Sequence, residues 1–180
     1  MQNNIIYCGD CRDVLKKEIK SESVDLIYLD PPFFTNKDHE VVWGDDDEIR
    51  SFKDRWAGGI NHFTGWLEER LEACKDVLKK TGSIYVHCDW RASHYIRMSI
   101  DRVFDPHNFQ DEIIWHFTGG GRSKRYFSRK HNTIFFYSKA KKFTFNIDAI
   151  RVPYKETSGY AKSGITSKSG KRYTPNPKGT

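Results

Sequence analysis

The sequence lacks any long apolar run. No apolar stretch exceeds six residues, whereas a membrane-spanning helix needs about 20. Cysteine is scarce as well. The chain of 180 residues contains four, which are too few to build a disulfide scaffold. No basic segment leads into an apolar stretch at the N-terminus, so no secretory signal is predicted. We therefore expect a soluble, cytoplasmic protein that has no membrane partner.

Acidic residues are scarce after residue 110. Residues 111–180 contain 15 Lys and Arg but only four Asp and Glu, a net charge of +11, whereas residues 1–110 have a net charge of −5. Aromatic residues make up 14% of the chain, which is too many for a disordered protein. The split indicates a folded core with a surface that contacts a polyanion. A solvated basic tail is the alternative.

Strand and helix patterns alternate through the first 140 residues. Period-2 or continuous apolar runs predict strands at 5–7, 24–29, 83–88, 112–117 and 133–137, with a short edge strand at 143–145. Helical spacing predicts helices from residue 10 or 11 to 19, from 63 to 80 with Gly82 as the C-cap, and from 91 to 104. Residues 35–48 are expected to form an acidic loop. This alternation predicts an α/β fold with parallel strands.

The strongest chemical signal is the segment Leu-Asp-Pro-Pro-Phe at residues 29–33. Asp30 directly follows an apolar strand, and ligands of open α/β sheets bind at such strand ends. Pro31 and Pro32 lack backbone N–H groups, so this corner can only accept hydrogen bonds. A carboxylate, a free carbonyl and the ring of Phe33 suit a planar heterocycle that carries an amino group. A strand-ending turn with a buried Phe is the alternative.

This motif resembles the Asp/Asn/Ser-Pro-Pro-aromatic motif of S-adenosylmethionine-dependent amino-methyltransferases. Segments 7–15, 23–27, 78–86 and 125–134 extend the likeness, in the order found in the permuted beta group of DNA N4-cytosine/N6-adenine methyltransferases. The resemblance covers roughly residues 5–145. It implies a Rossmann-like methyltransferase sheet. Residues 1–145 would be the catalytic half of that domain, and 146–180 a basic, irregular start of a target-recognition or linker segment.

The resemblance also implies roles for the residues of the corner. Asp30 and the carbonyl of Pro31, supported by Pro32, would hold the two protons of an exocyclic amine, whose nitrogen then attacks the methyl group of S-adenosylmethionine. Phe33 would stack on a base flipped out of double-stranded DNA.

The same likeness places a second group of residues at the cofactor. Gly9, Asp10 and Cys11 would line the adenine pocket, together with Asp30. An equal alternative is that Asp10 only caps a helix. The C-x₂-C spacing of Cys8 and Cys11 predicts no metal site, because no second pair follows at zinc distance.

A basic loop between the last two predicted strands is the DNA-binding candidate. Tyr126 and Phe127 are interleaved with its cationic residues, which are Arg122, Lys124, Arg125, Arg129 and Lys130. These side chains would contact phosphates. A solvated hairpin loop is the alternative. Residues 117–121 formally match the family's Phe-x-Gly-x-Gly cofactor loop, but no helical pattern follows them, so we do not assign them to the cofactor.

The chain ends before the glycine-rich cofactor loop and the first two strands of the permuted family appear. We therefore expect an incomplete sheet, and a fragment of a longer enzyme or a truncated reading frame. The predicted function is a DNA amino-methyltransferase of the restriction-modification type, with adenine N6 preferred over cytosine N4. A homodimer or a restriction subunit is the expected protein partner. The alternatives are a non-catalytic DNA-binding remnant and an RNA or protein amine methyltransferase.

Overall fold

The computed structural model describes residues 4–43, 48–119 and 124–151. The chain divides into two units, Met1–Thr144 and Phe145–Thr180. The described part of the second unit contains the short helix α4 (Ile147–Ile150). Arg151, which follows this helix, pairs with Asp148 inside it at 3.1 Å.

The first unit alternates helices and strands. Its elements in chain order are α1 (Cys11–Glu18), β1 (Val24–Leu29), β2 (Asp38–Trp43), β3 (Glu48–Lys53), α2 (Gly59–Val77), β4 (Leu78–Cys88), α3 (Ser93–Phe104), a 3₁₀ turn (Pro106–Asn108), β5 (Phe109–His116) and β6 (His131–Ser138). Within this described part, no helix is long and apolar enough to cross a membrane.

The main sheet is mixed, with the strand order β1-β4-β6-β5. β1 pairs with β4 in parallel, and Leu29 lies opposite Val86. β6 runs antiparallel to both β4 and β5. The expected parallel pairing is thus found for β1 and β4, whereas β6 is antiparallel to both of its neighbours. The physical reason is that β5 and β6 are joined directly by a loop, whereas a parallel pair requires a crossover connection.

Two predicted strands do not form. Residues 5–7 belong to no strand, and Ile6 is 97% exposed, because no described strand lies beside them to supply hydrogen-bond partners. Residues 143–145 are also irregular, although the N–H of Thr144 donates to the carbonyl of Thr81.

The prediction of a loop over residues 35–48 is wrong for 38–43 and for Glu48, which belong to strands, whereas 44–47 lie outside the described residues. β2 and β3 form an antiparallel pair there, with Asp38 opposite Lys53 and Trp43 opposite Glu48. In the sequence, the acidic residues at 45–48 follow the first of these strands. Their polarity favoured the prediction of a loop and led to the strand-forming residues on either side being overlooked.

The predicted boundary between the long helix and the following strand is also wrong. α2 ends at Val77, and the N–H of Leu78 closes it by donating to the carbonyl of Cys74. β4 then begins at once and contains Gly82, which is therefore not a C-cap. A Cβ at Gly82 would lie 3.1 Å from the carbonyl oxygen of Val24, so the glycine permits the close approach of β1.

The core lies between the sheet and helices α2 and α3. Apolar residues at helical spacing give each helix one buried face, and alternate residues of the central strands meet it. The fully buried side chains include Phe63, Leu67, Leu71, Ile84, Val86, Ile96, Ile100, Phe104 and Tyr137. The other alternate residues of β4, Tyr85 and His87, therefore point to the opposite face of the sheet.

The two glycines at 65 and 82 make a matched pair for testing this packing. We expect Gly82→Ala to lower the free energy of unfolding by about 1–3 kcal/mol, because the new methyl group would meet backbone oxygens of Val24 and Lys79 at 3.1 and 3.0 Å. We expect Gly65→Ala to raise the free energy of unfolding by about 0.5–1 kcal/mol. Gly65 lies in the middle of α2, where alanine is favoured over glycine, and the added methyl group would meet no neighbouring atom within 4 Å. Urea denaturation measures both, and equal effects would contradict the close approach.

Candidate functional site

The candidate site lies where β1 and β4 end side by side. Parallel strands bring their carboxyl ends to one edge of the sheet, so Asp30 follows Leu29 next to His87 in β4. Oδ1 of Asp30 lies 3.3 Å from Nδ1 of His87. The Asp30 side chain is 61% exposed, whereas the His87 side chain is only 9% exposed. The carboxylate is therefore anchored on one side and open to a ligand on the other.

Aromatic rings surround His87. The ring centroid of Phe33 lies 5.2 Å away in an edge arrangement, that of Trp115 in β5 lies 5.6 Å away, and that of Tyr28 in β1 lies 6.1 Å away. Nε2 of His87 is 2.9 Å from the side-chain amide nitrogen of Asn132 in β6. The sequence interpretation missed His87, although a parallel pairing of the two strands would have placed it opposite Asp30.

The segment that follows the two prolines is held by one buried carboxylate, Asp54, which sequence reasoning also missed. Oδ1 accepts from the N–H of Phe34 at 3.1 Å and from the indole N–H of Trp56 at 2.8 Å. Oδ2 accepts from the N–H of Thr35 at 2.6 Å and from its hydroxyl at 2.7 Å. Asp54 therefore fixes the backbone directly after Phe33.

Burial by itself would raise the pKa of Asp54. The hydrogen bonds from Thr35, Trp56 and Phe34 outweigh that effect and lower the pKa below its ordinary value. The carboxylate is therefore ionised in the folded protein at neutral pH. It also supports an unfavourable backbone conformation, because Phe34 has a φ of 57°. The ring of Phe34 packs on that of buried Phe63, with centroids 5.6 Å apart.

The residues predicted to line the adenine pocket lie at the start of α1. Asp10 caps this helix, and its Oδ1 accepts from the N–H of Arg12 at 2.9 Å. Its other oxygen pairs with the buried Arg70 of α2, whose guanidinium stacks on Trp66 at 3.8 Å. The helix-cap alternative is thus what the contacts of Asp10 show. They run to α2 and not to Asp30, and the cofactor role of Gly9, Asp10 and Cys11 stays a prediction.

The basic loop approaches the same edge of the sheet. The Arg129 guanidinium lies 3.8 Å above the ring of Trp90, which follows β4 by two residues, and 5.2 Å from the ring of Tyr126. Phe127 is 98% exposed. Lys124, Arg125 and Lys130 lie on the same loop, and Arg122 lies outside the described residues. The loop therefore presents cations and aromatic rings beside the strand that carries His87.

The described part of the glycine motif at 117–121 and the exposed cysteines lie outside the candidate site. The N–H of Phe117 donates to the carbonyl of Lys130 across the base of the loop, and 120–121 lie outside the described residues. Cys8 and Cys11 are free and exposed. In the described parts of the chain, no three His, Cys, Asp or Glu side chains are grouped in a way that could hold a metal ion.

The mixed α/β sheet and the Asp-Pro-Pro-Phe corner at its edge define a Rossmann-like protein of the methyltransferase type. The structure resembles that of PvuII DNA methyltransferase (cytosine-N4-specific), with a TM-score of 0.57 at 16% identity over 87% of this chain and 60% of that one. It also resembles a DNA modification methylase from Thermus thermophilus, TTHA0409, with a TM-score of 0.53 at 15% identity over 77% of this chain and 53% of that one.

Sequence comparison identifies the family. The family described as DNA methylase, which comprises N6- and N4-type enzymes, matches residues 24–178, and the chain belongs to it. Type II methyltransferase M.HpaI of Haemophilus parainfluenzae is 34% identical over 81% of this chain and 43% of its own length. Type II methyltransferase M1.MboII of Moraxella bovis is 31% identical over 99% of this chain and 64% of its own length. The chain thus spans about half the length of these relatives.

Removing the negative charge of Asp54 tests its role as an anchor. We expect Asp54→Asn to lower the free energy of unfolding at pH 7 by about 2–3 kcal/mol, because the amide cannot accept from all the donors. Since the folded-state pKa lies below 3.8, this difference is full above pH 3.8 and shrinks as the pH falls through the lower folded pKa. Urea denaturation across this pH range measures it.

The exposed carboxylate Asp76 in α2 provides the control for this experiment. We expect Asp76→Asn to change the free energy of unfolding by less than about 0.5 kcal/mol. An equally small effect of Asp54→Asn would show that Asp54 does not hold the segment after Phe33.

Proposed function

We propose that this chain carries the amine-binding half of a DNA amino-methyltransferase, which methylates an exocyclic amino group of a base in double-stranded DNA. One observation carries the proposal: the exposed carboxylate of Asp30 ends a strand of a DNA-methylase sheet and directly precedes two prolines and an aromatic ring. The corner has hydrogen-bond acceptors but no donors from its prolines, which suits an amino group.

The chemistry follows from what the substrate lacks. The lone pair of an exocyclic amine is delocalised into the base, so the nitrogen is a weak nucleophile. Asp30 and the Pro31 carbonyl accept its two protons and favour a pyramidal nitrogen with a localised lone pair. Phe33 stacks on the flipped base, and Pro32 fixes the backbone between them. After transfer the methylated nitrogen is positively charged and must lose one proton. Asp30 can accept this proton and release it to water from its exposed side.

S-adenosylmethionine is the proposed cofactor and supplies an electrophilic methyl group on a sulfonium centre when bound. The residues present fit a sulfonium cation, because the exposed carboxylate of Asp30 lies beside His87, whose ring is in contact with the rings of Phe33, Tyr28 and Trp115. Orientation by these side chains contributes most of the rate gain in such a direct transfer. Gly9, Asp10 and Cys11 are proposed to contact the adenine part.

Adenine N6 is the proposed target, in preference to cytosine N4. The DNA adenine methyltransferase YhdJ of Escherichia coli (strain K12) is 33% identical to this chain over 85% of it and 47% of the relative. The cytosine-N4-specific PvuII enzyme shares the fold at 16% identity. Two matched relatives are type III restriction-modification Mod subunits, which supports a restriction subunit as the protein partner. A homodimer remains the second proposal.

Asp30 provides the direct test of this function. In a complete enzyme that contains this half, we expect Asp30→Ala to abolish methyl transfer to double-stranded DNA, because the amine loses its carboxylate acceptor, while DNA affinity stays within about twofold. Transfer of radiolabelled methyl groups measures the rate, and mass spectrometry of the digested nucleosides separates N6-methyladenine from N4-methylcytosine. Asp25→Ala is the matched control, since Asp25 is an exposed carboxylate of the same strand and pairs with Lys79 at 2.7 Å.

The outcomes separate the alternatives. Turnover of Asp30→Ala within tenfold of the unaltered protein would remove Asp30 from the mechanism. DNA binding without any methyl transfer by the unaltered protein would favour a non-catalytic DNA-binding remnant. Methylation of RNA or of a protein amide, but not of DNA, would favour the third alternative.

The basic loop is proposed to contact DNA phosphates. Lys124, Arg125, Arg129 and Lys130 belong to it, as does Arg122 by sequence. Stacking of Arg129 on Trp90 ties the loop to the end of β4. A duplex held there would lie along the edge of the sheet at which Asp30 is exposed.

Salt dependence tests this surface. We expect the triple variant Lys124→Gln, Arg125→Gln and Lys130→Gln to bind DNA more weakly and to flatten the slope of log affinity against log salt, by about one unit for each lost phosphate contact. The control removes three exposed lysines of α1 and the turn after it, Lys16, Lys17 and Lys20, which changes the net charge equally. A slope that is unchanged in the loop variant, or equally flattened in both, would show that the loop does not contact phosphates.

A further inference from the structure

Three polar side chains, two from the strands β6 and β4 and one from the residue that follows β1, form a chain that ends at Asp30. Asn132 in β6 contacts Nε2 of His87 at 2.9 Å, and Nδ1 of His87 lies 3.3 Å from Oδ1 of Asp30. His87 is almost fully buried, so its ring is not a solvent-exposed group that happens to lie near a carboxylate. Each ring nitrogen faces one polar partner.

The partners determine where the ring carries its proton. With Asn132 oriented as it is in this structure, its amide nitrogen faces Nε2 and can only donate, so Nε2 accepts and the single proton of the neutral ring lies on Nδ1. The protonated nitrogen is then the one that lies 3.3 Å from Oδ1 of Asp30. The opposite tautomer would place a nitrogen lone pair 3.3 Å from a carboxylate oxygen and would be repelled.

We infer that His87 is a positioning residue for Asp30, held as the Nδ1–H tautomer by Asn132. This inference rests on the proposed function. The ring engages Oδ1 and leaves Oδ2 of Asp30 for the substrate amine. A distance of 3.3 Å is long for a hydrogen bond, and such contacts at catalytic groups often shorten when substrate binds.

The aromatic rings around His87 link it to Phe33 as well as to Asp30. The rings of Phe33, Tyr28 and Trp115 all contact the imidazole, and such packing restricts the rotation of His87. Phe33 is the ring proposed to stack on the base, and it meets the imidazole in an edge arrangement. One histidine therefore orients both the carboxylate and the aromatic side chain of the corner.

Nitrogen chemical shifts of the His87 ring test the tautomer without requiring activity. In the ¹⁵N-labelled full chain at neutral pH, we expect a protonated Nδ1 and a non-protonated Nε2, in signals assigned by their loss in His87→Asn. Asn132→Asp replaces the donor with an acceptor, so Nε2 should become protonated. A protonated Nε2 in the unaltered chain, or no change in Asn132→Asp, would overturn the inference.

Two substitutions of His87 then separate positioning from packing. Asn offers a polar atom near the place of Nδ1, whereas Leu fills the buried volume but donates nothing. We expect His87→Leu to lower kcat by about 10²-fold with an unchanged KM for DNA, and His87→Asn to retain clearly more activity, although Leu should be at least as stable. His94→Asn, at an exposed histidine of α3, is the control and should leave kcat unchanged.

The failure of the inference and that of the proposed function are distinguishable. If the unaltered chain transfers methyl groups but His87→Leu keeps kcat within twofold, or if activity follows stability so that Leu exceeds Asn, the positioning role is wrong and the function stands. If the complete enzyme that contains this half transfers no methyl group, the proposed function fails, and the nitrogen shifts of His87 and of Asn132→Asp still decide whether this ring is held toward Asp30.

Discussion

The parallel pairing of β1 with β4 sets the position of every group at the candidate site. With Leu29 opposite Val86, the residues that follow in each strand, Asp30 and His87, meet at one edge of the sheet. A shift of one residue would turn His87 toward the helices and away from Asp30, because side chains alternate between the two faces. Gly82 belongs to the same constraint, since it permits the close approach of the two strands at their other end.

The corner after β1 is rigid for two separate reasons. Pro31 and Pro32 restrict their own backbone angles, and Asp54 accepts hydrogen bonds from the segment that follows. Asp54 comes directly after the β2–β3 hairpin, so this hairpin returns the chain to the corner, and the N–H of Asp54 closes its base by donating to Lys37. Positions that orient an amine benefit from such stiffness, because catalysis by positioning loses rate with small displacements.

Charge is distributed in keeping with this arrangement. The acidic surplus lies in residues 1–110, which contain the Asp-Pro-Pro-Phe corner, and the basic surplus follows it. The loop between β5 and β6 brings several of these cations to the end of β4, where Arg129 stacks on Trp90. One edge of the sheet therefore carries the exposed carboxylate of Asp30 and, beside it, cationic side chains of the loop.

The sequence by itself determined the class of fold, the helices with a continuous apolar face such as α2, the central strands and the Asp-Pro-Pro-Phe motif, because these signals are local and repeat at the period of the element. It did not determine the antiparallel direction of β6 or the absence of a strand at 5–7, since both depend on which neighbour supplies hydrogen bonds. Only the tertiary structure brought His87, Asn132 and Asp54 to the corner. Each is separated from its contacts there by about 20 residues or more along the chain, and a single buried polar residue has no periodic signal that would mark its partner.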